Sequence, residues 1–202
     1  MQSWDLDRKI QVTTARIMEW YEHYNGLVYV AFSGGKDSTV LLDLVRRIYP
    51  DVPAVFCDTG LEFPEIRQFA MSVNNVVVLR PEMNFKKVIE TYGYPIVSKR
   101  VADTVEYGHK PGSFRWKELH GEIIRSNGTK SEFNCEKWCY LLDAPFKVSS
   151  RCCNIMKKKP MKKYSKETGR VPIIATMADE SRSRRSVWMS TGCNAFQKKS
   201  PS

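Results

Sequence analysis

The hexapeptide Ser33-Gly34-Gly35-Lys36-Asp37-Ser38 collects residue types that hold a phosphate: two glycines, a lysine and two hydroxyls. Adjacent glycines can take φ > 0 and bring backbone N–H groups close to an anion. Lys36 adds a point charge, and Ser33 and Ser38 add hydroxyl donors. An apolar run at 27–32 precedes the loop, and an apolar-periodic segment at 39–48 follows it. That order of strand, loop and helix aims a helix N-terminus at a bound anion. It is not a Walker A loop, which needs four residues between its first glycine and Gly-Lys-Ser/Thr, whereas here Asp37 follows Lys36. All six residues are candidate nucleotide-binding groups, with Lys36, Asp37 and Ser38 as the catalytic candidates. The bland alternative is an ordinary Gly-Gly turn beside a solvated lysine.

Two further segments sit where they can join that site. Asp58-Thr59-Gly60 follows the apolar run 54–57; a carboxylate there can accept from a ribose or an adenine amine, and Gly60 permits a tight turn. Taken alone it reads equally as a simple turn. Thr176-Met177-Ala178-Asp179-Glu180-Ser181-Arg182-Ser183-Arg184 follows the run 172–176. Glu180, Ser181, Arg182 and Arg184 are its candidate nucleotide contacts, since guanidinium groups meet phosphate bidentately; Arg185 is a further candidate, and a solvated arginine face is the alternative.

Cysteine supplies a second chemistry. Cys57 stands alone in the first half and reads as core packing, while Cys135, Cys139, Cys152, Cys153 and Cys193 crowd the second. No secretory leader is legible at 1–10, so disulfides are disfavoured and clustered thiols point to metal or redox chemistry. Cys139, Cys152 and Cys193, with Cys153 fourth and Cys135 behind it, are candidate ligands of an iron–sulfur cluster. Zinc on four thiolates and plain buried thiols stay open. His23, His109 and His120 look isolated, and none is read as a ligand or base.

Elements must carry these residues to one place. Periodicity predicts helices at 4–24, 38–49, 63–72 and 85–92, alternating with strands at 27–32, 54–57 and 76–79. Such alternation predicts an α/β fold with a doubly wound parallel sheet. The rhythm then breaks: helices are expected near 99–107, 116–126 and 137–142, joined by polar loops, with no strand between 95 and 170. A strand at 172–176 and a fifth at 187–189 complete a five-stranded sheet. The expected organisation is a single domain over 1–202, with 95–170 as a helical, cysteine-rich and basic insertion over the carboxyl edge of the sheet.

Ser33–Ser38 resembles the PP-loop of the ATP pyrophosphatase superfamily. Asp58-Thr59-Gly60-Leu61-Glu62-Phe63-Pro64-Glu65 is similar to the Asp-Thr-Gly-x-x-Phe-Pro-Glu stretch of phosphoadenosine phosphosulfate reductases. The segment 176–184 resembles their second signature, departing from it at Thr176 and Ala178; Tyr94-Pro95 and Ser98-Lys99-Arg100 resemble a loop near the substrate. The likeness spans about 27–196 and implies an adenine nucleotide α-hydrolase-like (HUP) fold. It implies ATP or adenylyl sulfate as nucleotide, Mg2+ held by Asp37 or Asp58, and one of two chemistries. One reduces an adenylyl sulfate to sulfite. The other spends ATP, releasing AMP and pyrophosphate, to install sulfur in a nucleic acid or small molecule. The order and spacing of the cysteines differ from adenylyl-sulfate reductases. The missing terminal Glu-Cys-Gly-x-His segment and the basic insertion, which suits a nucleic acid, favour the second branch, while the segments 58–65 and 179–184 look more like the first. Implied partners are DNA or transfer RNA, and a cysteine desulfurase or thiol reductant. A non-catalytic nucleotide-sensing module is the remaining alternative. Relatives of this kind continue past the position of Ser202, so a short version or a fragment is expected.

Charge separates the halves. Residues 1–100 carry 12 basic and 12 acidic side chains, and residues 101–202 carry 20 and 10, so the second half supplies the whole net +10. Between 147 and 170 nine basic residues face the single acid Glu167. A block of this kind attracts polyanions, with a solvated lysine face as the alternative. No uncharged apolar stretch reaches the ~18 residues of a membrane helix, so no membrane partner is expected and a cytoplasmic location is the default.

Overall fold

Strand β1, Val28–Phe32, buries every residue except Ala31, as a parallel strand covered on both faces must. It lies inside a sheet ordered β3-β2-β1-β4, with β2 at Ala54–Cys57, β3 at Val76–Leu79 and β4 at Val171–Ile173. Every pairing is parallel: Val30 is opposite Ala54, Val55 opposite Val77, and Val30 opposite Ile173 on its other side. This is the computed structural model of the chain, and it describes residues 3–177, 180, 182–194 and 196, apart from the side chains of Arg182 and Ser183.

Four strands, not five, form the sheet among the described residues. Residues 187–189, expected as a fifth strand, lie in helix α8 (Arg182–Thr191); a three-residue apolar run has no periodicity to separate strand from helix.

The chain divides into two compact units. One comprises 1–58, 62–80 and 161–202; the other comprises 59–61 and 81–160. The first holds the sheet with α1 (Leu6–His23), α2 (Lys36–Ile48) and α3 (Pro64–Ser72). Its core is apolar: Val28, Val30, Phe32, Leu42, Val45, Ala54, Phe56 and Ala70 are buried together.

The second unit is helical. It contains α4 (Phe85–Tyr92), α5 (Lys99–Tyr107), α6 (Phe114–Leu119) and a 3-10 segment, Glu136–Asp143. Asn84, Ser98 and Ser113 cap α4, α5 and α6 by accepting from the third residue on. The helix expected over 116–126 stops at Leu119, because Gly121 takes φ 71° and Ile124 then pairs antiparallel with Lys130. A π-helical turn, Asn154–Lys158, leads into α7 (Lys159–Thr168), a helix not expected from the sequence. Pro160 has no N–H and its ring crowds the carbonyl four residues back; the wider turn, closed by Lys159 N–H on the Asn154 carbonyl, takes it in.

Candidate functional site

The strand order reverses between β1 and β4, and open α/β sheets bind ligands outside the carboxyl ends at such a reversal. The loop 33–38 leaves β1 there, and the segment after Ile173 leaves β4 beside it.

Gly34 sits at φ 74°, and a Cβ on it would stand 2.8 Å from Ile66 Cγ2 on α3. Only glycine meets both demands. Gly35 then serves as N-cap of α2 with no side chain capping the helix. The first-turn N–H groups of Lys36, Asp37 and Ser38 therefore have no intrahelical acceptor, and they stand at the positive end of the helix. Lys36 and Asp37 are exposed, whereas Ser38 is buried.

The Ser38 hydroxyl donates to the Gly35 carbonyl at 2.9 Å and accepts from the Ser33 N–H at 3.2 Å. Its one proton is thus committed, so the 3.0 Å contact between the two hydroxyls has Ser33 Oγ as donor. Ser33 Oγ in turn accepts from the Gly35 N–H at 3.3 Å. In this state the two serines brace the loop, with Lys36 exposed and the first turn of α2 left without a side-chain cap.

Asp58 follows β2 as expected, but its carboxylate is buried and already engaged. Arg67 Nε donates to Asp58 Oδ2 at 3.0 Å, and Arg80 Nε stands 3.8 Å from the same oxygen. Nothing in the sequence flagged these arginines; both reach Asp58 through the folding of α3 and β3 against β2. Thr59 is buried, its hydroxyl accepts from the Leu61 N–H at 3.3 Å, and Gly60 takes φ 75°. The Asp-Thr-Gly stretch is therefore a braced turn.

After β4, the Glu180 carboxylate accepts from the Met177 N–H at 2.9 Å and pairs with Arg184 one turn on. Ser181 and the side chain of Arg182 lie outside the described residues, as do Ala178 and Asp179.

Each described thiol has its own surroundings. Cys135 is buried with its Sγ 3.4 Å from the Phe133 carbonyl. Cys139 faces His120 Nε2 at 3.7 Å. Cys152 packs against Val88, Ile155 and Met156, and this burial, with Cys153 beside it, pushes its thiol pKa up. Cys153 is exposed, and Cys193, in the other unit, accepts from Trp188 Nε1 at 3.2 Å. Among the described residues no three His, Cys, Asp or Glu side chains gather as a metal-holding group.

Comparison with known proteins bears on the segment that carries the loop 33–38. Residues 27–106 match the phosphoadenosine phosphosulfate reductase domain. An uncharacterized protein of Methanocaldococcus jannaschii is 32% identical over 105 residues, half of this chain and 25% of the relative. An adenosine 5'-phosphosulfate reductase of Halalkalibacterium halodurans is 30% identical over 84 residues, 38% of this chain and 36% of the relative. A phosphoadenosine 5'-phosphosulfate reductase of Serratia proteamaculans is 45% identical over 53 residues, 26% of this chain and 22% of the relative. The matches thus span between about a fifth and about a third of these relatives. No helix among the described residues is long and apolar enough to cross a membrane.

Proposed function

We propose that the loop 33–38 binds the phosphate end of an adenylyl nucleotide, and that the substrate is a sulfonucleotide of the adenylyl-sulfate class. The observation that carries this reading is the uncapped N-terminus of α2 behind Gly34 and Lys36 at the sheet's reversal. The sulfonucleotide choice is supported by the names of the H. halodurans and S. proteamaculans relatives. In this reading the N–H groups of Lys36, Asp37 and Ser38 hold the phosphate oxygens and the Lys36 ammonium offsets their charge. Exposed Asp37 is the carboxylate available to a magnesium ion on a phosphate; Asp58 acts instead by holding Arg67 and Arg80 in position.

A second reading is favoured by one observation. Lys157, Lys158, Lys159, Lys162, Lys163 and Lys166 are all exposed along the π turn and α7. Six ammonium groups on one stretch suit a nucleic-acid backbone, and with it an ATP-dependent sulfur transfer to DNA or RNA.

Calorimetry separates the two. Adenylyl sulfate should bind the wild type and bind Lys36→Ala about tenfold to a hundredfold more weakly, the worth of one hydrogen bond to a charged group. Equal affinity for wild type and variant removes the loop from the site. Tight ATP binding with pyrophosphate release stimulated by nucleic acid, and none of adenylyl sulfate, selects the second reading.

A further inference from the structure

His120 looked isolated in the sequence, but the fold gives it three partners. It is the residue that ends α6, and its ring stacks on Trp116 with centroids 3.8 Å apart and planes 19° from parallel. Its Nδ1 lies 2.8 Å from the Trp116 carbonyl. A carbonyl only accepts, so Nδ1 carries the proton and Nε2 keeps its lone pair. That lone pair is on the nitrogen 3.7 Å from Cys139 Sγ.

We propose that Cys139 and His120 Nε2 form a two-ligand site for a zinc-class divalent metal. Three features support it. The separation matches the bite of a tetrahedral ion: bonds of about 2.3 Å to sulfur and about 2.0–2.1 Å to nitrogen place the two donors about 3.6 Å apart. The hydrogen bond from Nδ1 to a backbone carbonyl is the contact that orients ligating histidines and fixes their tautomer. The pair is also held before any metal arrives. Cys135 N–H donates to the Glu118 carbonyl at 2.8 Å, tying the start of the 3-10 segment to α6. Leu119 and Leu141 are buried in one cluster, with Cys139 packed against it.

Cys135 is not the next ligand, because its Sγ is turned to the Phe133 carbonyl. Two of the four tetrahedral positions would then be filled by water or by an anionic group from outside these two side chains, so the pair is not the closed four-ligand set of a structural site. The site uses one of the expected thiols with an imidazole in place of further cysteines, and nitrogen with sulfur suits zinc better than an iron–sulfur cluster. It does not depend on the nucleotide reading, whose loop lies in the other unit.

The test is an anaerobic titration of the reduced full chain with Co2+, followed by absorption. Wild type should develop a near-ultraviolet thiolate-to-cobalt band together with visible bands of tetrahedral intensity. Cys139→Ser should lose the thiolate band, and His120→Ala should weaken binding about tenfold or more and shift the visible bands. Identical spectra and affinity in wild type and His120→Ala overturn the proposal, as does a wild-type chain that gives no cobalt spectrum. If either variant loses its far-ultraviolet dichroism, nitrogen NMR of the wild type with Zn2+ decides. Movement of the His120 Nε2 resonance with Nδ1 still protonated supports the site, and an unmoved Nε2 overturns it.

Discussion

The two units solve the same problem with different interiors. Around the sheet, burial is apolar: Val28, Val30, Val45 and Ala54 have no exposed surface at all. In the helical unit a carboxylate is buried as well. Glu118 is 1% exposed, and its oxygens take Arg100 at 2.5 Å and Arg115 at 2.7 Å, with Thr104 at 3.5 Å. Glu106 repeats the theme, accepting from the Ser149 hydroxyl, the Ser150 N–H and Arg151. Apolar burial is non-directional and needs only the right period along each strand or helix. A buried charge needs partners arriving from particular directions, and leaving it without them is costly. The sheet unit is thus tolerant in its core and exacting at its loop, while the helical unit is exacting in its core.

The strongest way to break that contrast is Glu118→Ala. It leaves two guanidinium groups facing an empty pocket and should lower stability by about 3 kcal/mol, read by urea denaturation. A loss under about 1 kcal/mol would mean that the arginines simply turn to water and that the helical unit rests on its apolar contacts. Next comes Gly34→Ala in the sheet unit. Adding a Cβ at φ 74° and 2.8 Å from Ile66 should cost about 2 kcal/mol and reduce nucleotide binding with it. Retained stability with lost binding would show that the loop, not α3, gives way. Ser98→Ala removes the cap of α5 and should cost about 1 kcal/mol, measured the same way.

The smallest effect sharpens the picture of the thiols. Burial raises the Cys152 pKa, so the folded chain holds that proton more tightly than the unfolded chain does. The stability this contributes is complete below the unfolded thiol pKa and is lost as pH rises through the folded value. Iodoacetamide labelling of Cys152 should accordingly climb at higher pH in the folded protein than in denaturant, as followed by mass spectrometry. Coincident profiles would show that its packing against Val88 and Met156 is open to water.

Legibility tracked the same divide. Strands 54–57 and 76–79 and helices 85–92 and 99–107 are where the sequence pattern placed them, because each is decided within its own few residues. The helix 116–126 failed at Gly121, whose positive φ turns the chain toward the Ile124 pairing. Helix α7 was hidden by Pro160 and its lysines, since the π turn that admits the proline leaves no pattern in sequence.

In the loop 33–38 the bracing contacts are local: Ser33, Gly35 and Ser38 bond one another over at most five positions of sequence. The partners of Asp58, Glu118 and Cys139 are not local and were not legible. Asp58 meets Arg67 nine residues on, Glu118 meets Arg100 eighteen residues back, and Cys139 meets His120 across nineteen. Sequence alone determined the alternating α/β order, the glycine-rich loop between β1 and α2 and the separation of charge, because these follow from local backbone chemistry and composition. Only the tertiary structure decided which charges and thiols face each other, because those pairings depend on where a turn sends the chain and not on what the residues are.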